Sequence, residues 1–196
     1  MRIINLALLA VLALLQTSCS VFASQTEERE VAQFKSIDIS GLAEVFITNA
    51  KTQGIVVKVS GMPISDVITR VDEGTLVVST NGYHSGESVK IYVNYVQLNS
   101  IHISGSAEVT GTNTLVADEL LLTTGDSGDI KSLDIKSHHL TVSINDSGNA
   151  DLNVDVVTLD VLMNEAGDLS IRGKAKTQNI RSNGSRGTLN NANLNY

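Results

Sequence analysis

The stretch Leu140-Thr141-Val142-Ser143-Ile144-Asn145-Asp146-Ser147-Gly148-Asn149-Ala150-Asp151-Leu152-Asn153-Val154 decides the fold of this chain. Apolar residues occupy every second position from Leu140 to Ile144. They do so again at Ala150, Leu152 and Val154, set against polar Asp151, Asn153 and Asp155. A period of two marks a strand with one buried face, and Val142 then points inward and Thr141 outward. Between the two runs lies a polar turn with a glycine at its centre.

The pattern recurs on both sides of this stretch. The chain divides into Leu120 to His139, Leu140 to Thr158, Leu159 to Gln178 and Asn179 to the end, each unit leading alternating apolar residues into a polar turn. The turns are Gly125-Asp126-Ser127-Gly128-Asp129, Asn145-Asp146-Ser147-Gly148-Asn149, Asn164-Glu165-Ala166-Gly167-Asp168 and Gly184-Ser185-Arg186-Gly187-Thr188. Their glycines, Gly128, Gly148, Gly167 and Gly187, are spaced 20, 19 and 20 residues apart. Such a unit holds two or three short strands and their corners, so each makes one rung and equivalent residues stack at about 4.8 Å. The prediction is an all-β fold, a parallel β-solenoid (β-helix) with rungs of about 20 residues. Glycine is expected at the corners because φ > 0 is costly for other residues.

The first half follows the same pattern more loosely. Ser40-Gly41-Leu42-Ala43-Glu44-Val45 returns as Ser104-Gly105-Ser106-Ala107-Glu108-Val109, 64 residues later, an offset close to three rungs. Gly41 and Gly105 therefore join the structural turn glycines. Strands are expected over 55–59, 75–79 and 89–93, with turn signals at Asp72-Glu73-Gly74 and Asn81-Gly82. One helical turn fits Met62 to Val71, and residues 33–196 read as a single solenoid domain.

Ahead of it, Arg2 precedes an apolar run from Ile3 to Leu15, shorter than the roughly 20 residues a bilayer span needs, so residues 1–23 read as a signal peptide. Cleavage after Ala23 is consistent with Val21-Phe22-Ala23. Ser18-Cys19-Ser20 resembles a lipobox, with Gln16 where Leu is usual, and makes Cys19 a candidate lipid-attachment site. Both routes stay open. Because Cys19 is the only cysteine, neither an intrachain disulfide nor a thiolate metal cluster can form. Residues 24–32, with Thr26-Glu27-Glu28-Arg29-Glu30, read as a solvated tether.

Composition narrows the partners. A formal charge of −7 and no evident basic stripe disfavour nucleic acid. No tryptophan and 4% aromatic residues weaken a ring-stacking platform, leaving Tyr83, Tyr92, Tyr95, Tyr196 and three phenylalanines as candidate rings.

Phe34-Lys35-Ser36-Ile37-Asp38-Ile39-Ser40-Gly41, followed by Val45 and Ile47 and by the Asp-Ser-Gly turns, resembles the putative auto-transporter adhesin head domain family of bacterial envelope proteins. The resemblance covers residues 33 to about 190 and implies a secreted or lipid-anchored β-helical domain with an adhesive role. Asp-Ser-Gly and Glu-Ala-Gly stand where Ser-Gly-Ser-Gly turns are usual. Within 196 residues there is no room for an outer-membrane barrel, so self-export is not expected.

Three chemical readings compete with plain turns. Gly125-Asp126-Ser127-Gly128 imitates a protease nucleophile loop with His138 and His139 downstream, but its repetition as Asp146-Ser147-Gly148 without a second histidine pair marks a turn. Neighbouring strand residues point to opposite faces, so His138 and His139 read as exposed corner residues rather than ligands of one ion. Asp126, Asp146 and Glu165, with Asp129 and Asp168 on the other side of the glycine, would form an acidic ladder able to hold Ca²⁺. Hydrogen bonds from each turn's own amides are the expected alternative, and neither a cofactor nor a resident metal is expected. The function expected is a non-catalytic exported envelope protein, adhesin-like, contacting an unidentified surface protein or polysaccharide. Polysaccharide binding and a β-helical polysaccharide-active enzyme are the alternatives.

Overall fold

The computed structural model describes residues 23–82, 86–183 and 186–196. Residues 1–22, with Cys19 and most of the segment read as a signal peptide among them, lie outside the described residues, as do Tyr83, Gly184 and Ser185. The described strands, 15 in number, form one connected sheet coiled into an all-β solenoid of about five turns. In chain order the first nine are β1 (Gln25–Arg29), β2 (Ser36–Ile39), β3 (Glu44–Asn49), β4 (Gly54–Ser60), β5 (Val67–Asp72), β6 (Thr75–Thr80), β7 (Ser88–Tyr95), β8 (Ser100–Ile103) and β9 (Glu108–Gly111). Then follow β10 (Leu115–Thr124), β11 (Asp129–Ile144), β12 (Asn149–Met163), β13 (Leu169–Ser182), β14 (Leu189–Asn190) and β15 (Leu194–Asn195).

From β8 onward the chain advances one rung at a time, with β10, β11, β12 and β13 paired in parallel. Each long strand is bent. In β11 the buried side chains are Ile130, then Leu133, Ile135 and Ser137, then Leu140, Val142 and Ile144. Alternation slips at 131–132 and 138–139, and those slips are the corners that give the rung three sides. In-register pairing stacks like on like, as in Leu120, Leu140 and Leu159, or Leu122, Val142 and Val161. Val142 is fully buried and Thr141 points outward, as the period requires.

The first half corrects the expected spacing. β2 pairs directly with β8 and β3 with β9, so Gly41 and Gly105 sit on adjacent rungs and their 64-residue offset is one step rather than three. The intervening chain doubles back onto the far side of β2 and β3. There β6 and β7 add in parallel, while β4 and β5 add antiparallel and close that end. The cause is local: Glu73 and Gly74 take φ of 47° and 79°, the paired left-handed residues of a two-residue hairpin turn. Ile64–Asp66 forms a 3₁₀ turn within the segment where one helical turn is expected.

Residues 24–32 are likewise more than a tether, because β1 pairs antiparallel with β4. Most of its side chains are exposed, as a charge run should be, but Arg29 turns back over the end of the solenoid. Its guanidinium donates to Val67 O at 2.6 Å, Ile64 O at 3.1 Å and Thr69 Oγ1 at 3.1 Å. A charge laid across an edge strand satisfies a free carbonyl and deters a further strand from adding there.

The repeat glycines do not act through φ > 0, which corrects the expectation for Gly128, Gly148, Gly167 and Gly187. The left-handed residue of each turn stands two positions earlier: Gly41 (88°), Gly105 (69°), Asp126 (52°), Asp146 (53°) and Glu165 (67°). What the later glycines provide is clearance. A Cβ on Gly148 would lie 2.5 Å from Thr124 Oγ1 and 2.9 Å from Gly128 O, and one on Gly167 or Gly187 would lie 2.2 Å from the carbonyl of the preceding rung's glycine. Replacing Gly148 with Ala should therefore cost about 1–3 kcal/mol through overpacking, whereas Asp146→Gly should stay within about 1 kcal/mol of wild type. Denaturant unfolding of both variants checks this, and a larger loss in Asp146→Gly would restore the dihedral explanation.

Candidate functional site

The four aspartates of the acidic ladder are consumed by the fold. Asp126 Oδ2 accepts the Gly105 N–H at 3.1 Å, and Asp146 Oδ2 accepts the Asp126 N–H at 3.3 Å. The donors are amides of the neighbouring rung, not of each turn itself as expected, so Asp126 and Asp146 each tie their rung to the one before. On the other side of the glycine, Asp129, Asn149, Asp168 and Thr188 alternate charged with neutral. Asp129 Oδ1 accepts the Asn149 N–H at 3.2 Å and its Nδ2 at 2.9 Å, Asn149 Oδ1 accepts the Asp168 N–H at 2.9 Å, and Asp168 Oδ1 accepts the Thr188 N–H at 2.7 Å. Two adjacent full charges at about 5 Å would repel by about 0.8 kcal/mol in water, a cost the alternation avoids.

Where Glu44, Glu108 and Asp129 follow one another, lysines intervene. Lys131 Nζ lies 3.0 Å from Asp129 and 3.1 Å from Glu108, and these partners, Asp129 first, raise its pKa. Lys90 likewise reaches Glu44 at 3.2 Å. Beside this column runs an amide ladder, Asn183 to Asn164 at 3.2 Å and Asn164 to Asn145 at 3.0 Å. Among the described residues no group of three His, Cys, Asp or Glu side chains converges on a metal position.

His138 and His139 lie at a corner of β11. His138 is exposed, while His139 Nε2 is 2.6 Å from Asp160 Oδ2 on the next rung. Asp160 Oδ1 also accepts Asn179 Nδ2 at 2.7 Å. The Asn179 hydrogen bond first, and the His139 contact second, hold the Asp160 carboxyl below the usual carboxylate range. The Asp126-Ser127-Gly128 turn is at a different corner, one five-residue strand or about 16 Å away, so the serine and the histidines do not meet.

The candidate rings are spent on packing. Tyr95 is buried, and burial pushes its phenol up to about 12. Phe46 and Tyr92 stack with centroids 5.1 Å apart, and Lys58 Nζ lies 5.0 Å from the Tyr92 centroid. Because β7 runs between β3 and β4, both faces of Tyr92 are occupied and neither is open to a sugar. Among the described residues, Tyr196, at 93% exposure, presents a free ring. A shallow groove of about 550 Å³ runs past Gln33, Lys35, Gln53, Glu73 and Gln97, where Gln53 Nε2 already holds Ala32 O at 2.6 Å.

One feature escaped the sequence reading. Arg172, Lys174 and Lys176 project from the same outward side of β13, a basic row hidden by the acidic average of the chain. The signal was there in Arg172-Gly173-Lys174-Ala175-Lys176, where cations alternate with small residues at the strand period. The absence of a basic stripe is thus corrected for this strand.

Residues 33–196 match the family described as "Putative auto-transporter adhesin, head GIN domain". The chain belongs to this family. Solved structures share the fold of this adhesin-family domain at low identity. A putative lipid binding protein from Parabacteroides distasonis is 17% identical with a TM-score of 0.78, over 87% of this chain and 74% of its own. A putative adhesin from Bacteroides fragilis is 15% identical with a TM-score of 0.55, over 86% and 97%. A putative adhesin from Parabacteroides merdae is 16% identical with a TM-score of 0.52, over 84% and 95%. Among curated proteins none matches.

The Asp160 contacts carry a pH dependence. A carboxyl whose pKa is lowered on folding stabilises the protein above its unfolded pKa of about 4, and that stabilisation fades as pH falls through the folded value. Asp160→Asn should therefore melt below wild type at neutral pH, with the difference closing below about pH 4. Melting curves at pH 7 and pH 3 test it, and a difference that ignores pH would assign the effect to shape alone.

Proposed function

We propose that the protein is an exported, non-catalytic module of the bacterial envelope that works by surface contact through the outer sides of its solenoid. Membership of a putative adhesin family carries this reading. The polar groups of the turns support it, since the residues that most resemble catalytic or metal-binding motifs are engaged in holding rung to rung. A solenoid with its polar side chains so committed at the corners is chiefly an extended surface. Residues 1–23 then serve as the export signal, and β1 follows it directly, so the closed end of the solenoid lies nearest the point of processing or attachment.

Cell fractionation tests the location. If Cys19 carries lipid, the wild-type protein sediments with membranes and Cys19→Ala is released in soluble form. Soluble behaviour of both would assign cleavage after Ala23, and retention of both in the cytoplasm would sink the export reading itself.

A further inference from the structure

Charge is distributed unevenly along the solenoid. Of the 14 Lys and Arg residues, five (Arg172, Lys174, Lys176, Arg181 and Arg186) fall in residues 169–196, and none of the 21 Asp and Glu residues does. Within this acidic protein, the charged side chains of residues 169–196 are thus all cationic. Three of the five cations stand in line. In β13 the outward side carries Arg172, Lys174 and Lys176, the two lysines lying one regular strand repeat, about 6.6 Å, apart.

The row is pinned by what lies between its members, although Gly173, with φ of 113°, breaks the regular strand geometry between Arg172 and Lys174. Ala175 is fully buried, and Gly173 passes so close to the preceding rung that a Cβ there would lie 2.1 Å from Val154 O. β12 pairs along one edge of this segment and β15 along part of the other, so the backbone is fixed before any ligand arrives. The two flanks differ in charge. Toward β12, Arg172 is paired with Asp151, and Asp155 stands opposite Lys174. Toward β15, Asn195 stands opposite Lys174, and residues 177–196 contain no Asp or Glu side chain. Among the described residues neither Lys174 nor Lys176 forms an ion pair.

We propose that this row, on its β15 flank, binds a linear anionic polysaccharide bearing carboxylate or sulfate groups; the proposal deepens the surface-contact reading and takes the partner's location from it. Successive outward cations along one strand match a chain whose anionic groups also repeat in line, and the neighbouring amides can exchange hydrogen bonds with hydroxyls. A duplex nucleic acid is too broad for a single row bordered by acidic rungs, and a single-stranded one would lack aromatic stacking partners. Salt should weaken the complex, because its strength comes from exposed charges.

The test uses the purified chain with four probes at low salt: polygalacturonate, dextran sulfate, uncharged dextran and duplex DNA. At least one anionic glycan should bind and dextran should not, and the tighter of the two anionic glycans identifies carboxylate or sulfate as the recognised group. The Lys174→Ala/Lys176→Ala variant should lose about tenfold or more in affinity, with unchanged far-UV circular dichroism and melting. Arg181→Ala/Arg186→Ala, elsewhere on the same rung, should lose less than about threefold. Failure of both anionic glycans to bind, equal losses in the two variants, or tighter binding of duplex DNA than of either glycan would overturn the assignment. Lack of binding by a protein that still fractionates with the envelope would leave the surface-contact reading standing without this ligand.

Discussion

Everything in this solenoid depends on how closely one rung can approach the next at the corner. Parallel strands stack at about 4.8 Å, and a corner must keep that spacing while the backbone changes direction. At the second turn position there is no space for a side chain beyond a methyl: Ala43 and Ala107 occupy it in the early rungs, and glycine in the later ones. The left-handed position two residues earlier shows the complementary exchange. Glycine takes it at Gly41 and Gly105, and an acid takes it at Asp126, Asp146 and Glu165. As the fold progresses, the residue without a Cβ moves from the site of unusual dihedral to the site of closest approach. The acid that replaces it tolerates the left-handed region and, in Asp126 and Asp146, adds a hydrogen bond to the rung before.

Identical rungs would place like charges over one another along the whole molecule, and the chain resolves this in two ways. In the column of Asp129, Asn149, Asp168 and Thr188, neutral residues separate the acids and use the same oxygens as acceptors. In the column of Glu44, Glu108 and Asp129, lysines from neighbouring positions reach in. Individually such exposed contacts contribute little. Their effect is on register: a slip of one residue would exchange the inward and outward sets, and a slip of two would bring Asp134 against Asp151 or Asp155. The N-terminal end is closed by a different device, in which antiparallel strands and the Arg29 guanidinium occupy edge groups that another rung would otherwise need.

What could be read from the sequence was the part governed by local rules. Alternation from Leu140 to Ile144 assigns strand and inward face without knowledge of any neighbour, and glycines 19 or 20 residues apart imply the rung. The 64-residue echo between Gly41 and Gly105 was misread as three rungs, because a direct step and a long excursion leave the same similarity in sequence. Only the pairing of Ser36 with Ser100 distinguishes them. The donors to Asp126 and Asp146 were assigned to the wrong amides for a related reason: a neighbouring rung's amide is some 20 residues away in sequence yet adjacent in space. The basic row of β13 was missed through averaging, since a net charge of −7 says nothing about where its minority charges gather.

That segregation gives the molecule an electrical direction. Residues 126–168 bring acids to successive rungs, and the cations of β13 begin immediately afterwards, so Arg172 finds Asp151 and Arg181 lies close enough to Asp160 to lower its pKa slightly. Part of the positive charge is therefore spent on docking the last rung onto the acidic ones beneath it. Docking alone, however, would be served by cations placed opposite acids. Lys176 stands opposite no acid: its column contains Asp118, His138 and Val157, and its immediate neighbour is Val157, 39% exposed. A lysine there, one step beyond Lys174 on the same strand, extends the row past the last charge that it could neutralise. The surplus is what separates a surface arranged for an external anion from one arranged only for its own fold.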